Sequence, residues 1–194
     1  MSQSQSFSRT RTLVECALLI AIGIVLGKIT FFSMPYGGSV TFFSALPFVL
    51  ISFRHGIKWG LLSGFVNGLI GIITGFSAPP SGTIPAFIGV ILLDYLLAFM
   101  ALGLADLFAK PFNNRLIGVG VGTVIASLLR LVCSFLSGWM LWGSYQDSYE
   151  WAIGLPTWLY SLIYNASYMI PETILTAIAA VLLCKFMPKL FNRV

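Results

Sequence analysis

The stretch IPAFIGVILLDYLLAFMALGLADLFAK, residues 84–110, sets about twenty apolar residues around one mid-run carboxylate, Asp94, which is followed at once by Tyr95. A run of this length matches the hydrocarbon thickness of a bilayer rather than the core of a small soluble domain. Lipid offers no water to the backbone N–H and C=O groups, so the run has to be helical. An ionised carboxylate in that medium costs several kcal/mol even on mild insertion scales, so Asp94 needs a reason to be there.

The rest of the chain has the same character. It is 58% hydrophobic and 9% charged, with a mean hydropathy of +0.93, whereas a soluble domain carries about 25% charged residues. The expected fold is an all-α integral membrane protein, a six-transmembrane-helix bundle forming a single membrane domain over residues 1–194. The expected spans are about 12–32, 41–53, 57–74, 85–109, 115–142 and 157–187. The second span is short and contains Pro47. At 1.5 Å per residue it does not cross about 30 Å of hydrocarbon as regular helix. Its neighbour SMPYGGSV, residues 33–40, has a proline and paired glycines, so irregular backbone is expected there. Such backbone is tolerated at membrane depth only where it is buried in protein or lines a cavity. The loop and the short helix are therefore expected to form and cap an outward-facing pocket.

Charge placement orients the bundle. Arg9 and Arg11, Arg54 and Lys58, Lys110 and Arg115, and Lys185, Lys189 and Arg193 account for nine of the eleven basic residues, and they occupy alternate connections. The intervening loops 33–40, 75–84 and 143–156 contain no Lys or Arg. This positive-inside pattern places both termini in the cytoplasm and makes the lipid bilayer, not nucleic acid, the partner of the net charge of +5. The basic N-terminus and the apolar run after it have the outline of a signal peptide. No small-residue cleavage site follows and five more apolar runs do, so this segment reads as a retained first transmembrane helix. Cys16, Cys133 and Cys184 are scattered through apolar runs, without metal or disulfide spacing.

Small residues recur at helical spacing. Gly60, Gly64 and Gly68, and likewise Gly118, Gly122 and Ala126, lie four apart, which lets helices pack closely. Ala17 and Ala21 share that spacing on the first helix, either for packing within the bundle or for docking a partner protein.

Glu15, Asp94, Arg130 and Glu172 are four ionisable residues that fall within the spans. Glu15 lies barely a turn inside the first helix and reads as a solvated or interfacial carboxylate. Counted from the outer helix ends, Asp94, Ser134 and Asn165 share a level roughly 12–13 Å deep, with Arg130 roughly one turn below. Arg130, Ser134 and Gly138 recur on one face, with Trp142 near its mouth. Tyr160, Tyr164 and Tyr168 recur on another, beside a stripe of Asn165, Tyr168 and Glu172. Polar groups in a span face the bundle interior, so these stripes converge on an aromatic-walled pocket holding a carboxylate. The bland alternatives are an Asp94–Arg130 ion pair, an interhelix bridge at Asn165, and pairing of Glu172 near Arg130. An acid, several aromatic rings and an amide suit a small cationic heteroaromatic ligand. No catalytic constellation and no phosphate-binding loop is present, so the chain is not read as an enzyme. Active transport by it would need an ion gradient or a partner ATPase.

Five segments carry a family resemblance: YGGSV (36–40), LISFRHGIKWGLLSG (50–64), LLDYLLAF (92–99), SLLRLVCSFLSG (127–138) and WLYSLIYNASYMIP (158–171). The chain resembles the thiamine-specific S components of the energy-coupling factor (ECF) transporters. The resemblance implies a multi-pass protein of the bacterial plasma membrane that binds thiamine from outside with high affinity. It implies ligand contacts at Asp94, Tyr95, Trp142, Tyr160 and Asn165. It also implies that Ala17 and Ala21 dock a transmembrane coupling subunit working with two ATPases. ATP is then hydrolysed by those partners, and this chain carries no cofactor. Where the family commonly has a histidine on the fifth helix, this chain has Ser134, with Leu131 at the neighbouring tyrosine position. Gly37–Gly38 stand where some members have a tryptophan. Serine donates a hydrogen bond but does not stack on a ring, so a related ligand, a pyrimidine precursor of thiamine or another B vitamin, is a second expectation. A self-sufficient secondary transporter using Asp94 and Arg130 is a third.

Overall fold

The computed structural model describes residues 2–35 and 37–193, of which 2–8 as helix backbone only. Tyr36, which opens the YGGSV motif, lies outside the described residues, as do Met1 and Val194. The order is α1 (Ser2–Lys28), β1 (Thr30–Ser33), β2 (Ser39–Thr41), α2 (Leu46–His55), α3 (Ile57–Gly75) and α4 (Ile84–Val90). A π-helical segment (Ile91–Leu97) follows, then α5 (Ala98–Leu102), α6 (Ala105–Ala109), α7 (Arg115–Leu141), α8 (Thr157–Phe186) and a closing 3-10 turn (Pro188–Phe191). Five helical stretches are long and apolar enough to cross a membrane: Arg9–Lys28, Ile57–Gly75, Ile84–Leu102, Arg115–Leu141 and Thr157–Phe186. At ten residues, α2 is about 15 Å long and too short to cross.

The first helix stops four residues before the boundary expected from hydropathy. Thr30–Ser33 instead pairs antiparallel with Ser39–Thr41, the register running from Ser33 opposite Ser39 to Thr30 opposite Thr41. Threonine and two phenylalanines in β1 favour a strand. Gly37 and Gly38, at φ of 104° and 91°, provide the turn. Thr41, expected to open the second span, is thus strand together with Ser39 and Val40 of the expected loop, and α2 begins at Leu46. Pro47 sits in its first turn, where a missing N–H leaves no bond unmade.

Two structural details position the polar residues. The π segment makes i→i+5 bonds, a wider turn that is rare and concentrated at functional places, and it contains Asp94 and Tyr95. The glycine row of α3 lies directly against the next span: Gly60 abuts Gly103, Gly64 abuts Phe99 and Gly68 abuts Tyr95, each so close to a carbonyl that a Cβ would collide with it. That contact holds the π segment against α3 without intervening side chains.

The interior is divided into two unlike halves. One cluster is aliphatic and phenyl: Phe48, Val49, Phe53, Leu102, Val119 and Phe191 are all buried in it. The other, toward the hairpin, is built on Tyr160, Tyr164, Tyr168 and Met169. The basic connections meet at the aliphatic end. There Glu15 of α1 is not a solvated carboxylate. It accepts from Arg11 (3.0 Å) and from two nitrogens of Arg54 (2.6 and 3.2 Å), while Arg54 also donates to the Lys189 carbonyl. His55 Nε2 lies 3.1 Å from the same carboxylate, in a geometry that makes no hydrogen bond. Burial pushes the His55 imidazole below its ordinary range, against the opposing pull of the Glu15 carboxylate. The sequence missed this cluster because its partners lie 39 residues away on α2.

Glu15→Gln is expected to lower stability by about 1–2 kcal/mol, since both arginines lose a charged acceptor. Thermal unfolding in detergent measures this, with Lys58→Gln as a variant expected to unfold like the parent.

Candidate ligand-binding site

A cavity of about 490 Å³ opens at the hairpin end between α1, α3, the π segment, α7 and α8. Asp94, Tyr95, Ser134, Trp142, Tyr160 and Asn165 all line it, although they come from three separate spans. Its size falls within the range of small-molecule sites.

Asp94 is the group around which the site is arranged. Its Oδ2 accepts from Ser137 Oγ (2.6 Å) and from Trp142 Nε1 (3.0 Å). The indole also points at Ser137 Oγ (3.2 Å), closing a three-member network. Trp142 terminates α7, and its ring stacks on Tyr145 at 5.9 Å and 20°. The Asp94–Arg130 ion pair weighed from the sequence is absent. Arg130 turns toward α8, with Nη1 3.4 Å from Glu172 Oε2 and its guanidinium 4.9 Å from the Phe99 ring centre. Glu172 is buried and also accepts from Thr41 Oγ1 (2.7 Å) and Ser44 Oγ (3.2 Å), which join the foot of the hairpin to α8. Asp94 and Arg130 therefore belong to separate networks.

On α8, Asn165 is held by its own helix. Its amide donates to the Ser161 carbonyl (2.9 Å), and its oxygen accepts from Tyr168 OH (2.8 Å). Ser161 in turn donates to the Phe135 carbonyl of α7 (2.7 Å). This closeness of α7 and α8 depends on Gly138, where a Cβ would strike Ser161 and Asn165. Tyr160, buried, packs 5.8 Å from the Tyr164 and Trp151 rings. Tyr164 OH donates to the Gly37 carbonyl (2.8 Å), and Gly38 lies flat against the Tyr168 ring at a φ that a side chain would strain. The hairpin turn is thus pinned over the aromatic wall.

Tyr95 lines the cavity but spends its hydroxyl elsewhere. It donates to the Gly75 carbonyl (3.0 Å) and accepts from Ser77 N (2.9 Å), holding the loop after α3. Ser134 reaches the cavity one turn from Arg130. Ala17 and Ala21 lie outside it, exposed on α1 beside Leu13 and Leu18. Ser137, Thr41 and Ser44 were missed by the sequence reading. Ser137 had a legible signal, since it sits three residues after Ser134 and so on the same side of α7. Thr41 and Ser44 had none, because the hairpin that aims them is not periodic.

The family model described as thiamine transporter protein (Thia_YuaJ) matches residues 13–192. Thiamine transporter ThiT of Bacillus subtilis is 36% identical over 205 residues, covering 99% of this chain and 98% of its own length. Thiamine transporter ThiT of Lacticaseibacillus paracasei is 26% identical over 158 residues, covering 77% of this chain and 75% of its own. The solved structure of ThiT from Listeria monocytogenes shares the fold, with a TM-score of 0.76 at 22% identity over 95% of this chain and 99% of that one. A family match running nearly end to end, with a relative 36% identical across its whole length, means that the chain belongs to the thiamine transporter protein family.

Proposed function

We propose that this membrane protein captures thiamine in the cavity at its hairpin end and is the substrate-binding S component of an ECF importer. The observation that supports this most is the state of Asp94. Both of its hydrogen bonds come from neutral donors and end on one oxygen, Oδ2, so no basic side chain cancels its charge among the described residues. A carboxylate without a basic partner beside aromatic rings is suited to an organic cation, which would itself favour the ionised form. Thiamine carries a permanently charged thiazolium and a hydrogen-bonding aminopyrimidine. In this reading Asp94 is the counter-ion, and Trp142 and Tyr160 provide ring faces. Asn165 and Ser134 provide hydrogen bonds, and Tyr95 holds the outer loop against the ligand.

Delivery inward falls to partners. Ala17 and Ala21, small and exposed on α1, are the proposed docking face for the transmembrane coupling subunit, and ATP is hydrolysed by two associated ATPases. Ser134 supports one second reading, a related ligand such as the pyrimidine precursor of thiamine, because a hydroxyl replaces the ring contact expected from a histidine there.

Titration of the purified protein with thiamine is expected to quench tryptophan fluorescence saturably through Trp142. The same titration with the pyrimidine precursor, pyridoxine and riboflavin decides the ligand, and a response to the precursor without one to thiamine overturns the first reading. Asp94→Asn is expected to weaken thiamine binding at least about thirtyfold, the lower end of the cost of unpairing a buried charge. Its thermal unfolding should stay close to the parent's, since an amide oxygen still accepts from Ser137 and Trp142. Thiamine affinity is also expected to fall on acidification. Protonation removes the charge of Asp94 while the thiazolium keeps its own, so equal affinity in neutral and strongly acid solution excludes Asp94 as counter-ion.

A further inference from the structure

At the opposite end from the aromatic cavity, a second hollow of about 500 Å³ lies between α6, the start of α7 and the closing 3-10 turn. Its floor is apolar, with Phe53, Val119 and Phe191 all buried. Its rim is cationic, carrying Lys110, Arg115 and Arg193. Arg193 is neutralised by Asp106, but the other two meet no carboxylate among the described residues. Arg115 donates to Asn192 Oδ1 (2.8 Å) and to the Phe191 carbonyl, both neutral acceptors. A guanidinium has five N–H donors, so most of its fork stays uncommitted. Lys110 is exposed and has no hydrogen-bond or ion-pair partner among the described residues. Two unpaired positive charges facing one hollow repel each other unless an anion lies between them.

We propose that this hollow is a binding site for a phosphate group, with Arg115 presenting paired N–H donors and Lys110 a point charge. Two sources offer that chemistry: the headgroup of an anionic phospholipid and a soluble phosphate ester. The lipid fits the location. Arg115 opens a membrane-length helix and so stands where headgroups lie, and Phe112 at the rim is 39% exposed, an apolar surface available to an acyl chain. The site is separate from the aromatic cavity and does not depend on what that cavity binds.

The test is native mass spectrometry of the full chain released from detergent with dioleoylphosphatidylglycerol and dioleoylphosphatidylcholine in equal amounts, alongside thermal unfolding in inorganic phosphate. Phosphatidylglycerol is expected to be retained preferentially. Lys110→Ala, which breaks no contact, should cut that retention about fivefold, the typical effect of one basic side chain near a membrane surface. Arg115→Lys, which keeps the charge and loses the fork, should also lower it. Lys58→Ala, on the same end of the molecule but outside the hollow, should not. Stabilisation by inorganic phosphate that Lys110→Ala abolishes, without any lipid preference, upholds the site and assigns it to a soluble ester. Absence of both responses overturns the proposal. So does a lipid preference that Lys110→Ala leaves intact or that Lys58→Ala reduces equally, because the attraction then belongs to the whole basic surface.

Discussion

A carboxylate inside a membrane-spanning helix bundle has to be met by donors, and the way Asp94 is met governs much of this structure. Neutral donors meet it: a serine from the middle of α7 and the indole that ends that helix. For both to reach one oxygen, α7 has to present its Ser134–Trp142 side to the π segment. The contact of α7 with α8 then brings the tyrosine row to the same space, which Gly138 permits by leaving room for Ser161 and Asn165. The cavity is what remains between groups whose positions are set by these bonds.

The other carboxylates are handled differently, and the contrast is informative. Glu15 is surrounded by two arginines, and Glu172 is shared by Arg130 and two hydroxyls. Those acids are neutralised and serve to join elements: α1 to α2, and the hairpin to α8. Asp94 alone among these three is met by neutral donors only. Serine and tryptophan donate hydrogen bonds to Asp94 without pairing its charge, and the proposed counter-ion role rests on that difference.

Much of this was legible in the sequence, for physical reasons. Lipid forces helices, hydropathy runs mark them, and helical spacing says which residues share a face. The glycine row of α3 and the convergence of Asp94, Trp142, Tyr160 and Asn165 follow from those rules. What failed did so where local periodicity carries no information. Glu15 was read as solvated or interfacial, and its cluster was missed, because Arg54 and His55 lie on another helix. Asp94 and Arg130 looked like a pair because depth counted along an axis ignores rotation about it. The β hairpin was read as helix end and loop, since Thr30–Phe32 are as apolar as a span and strand pairing depends on a turn elsewhere. Tyr95, a ligand contact implied by the family resemblance, lines the cavity, and its hydroxyl bonds to Gly75 and Ser77 were not legible because the loop after α3 has no periodicity.

The π segment has a consequence for how this binding site can change over time. A wider turn amounts to one residue more than regular α-helix would need over the same rise. Removal of one residue of Ile91–Leu97 other than Asp94 would restore ordinary helix with the flanking turns close to their present register, and would redirect the side chains between them. The run would remain equally apolar, equally long to the eye and equally able to span a membrane, and Asp94 would still be present. It would point at a different neighbour. The position of this carboxylate is therefore encoded in residue count as much as in residue identity. Relatives that differ by a single-residue gap in this run are expected to differ in their ligand chemistry even where every polar side chain is retained.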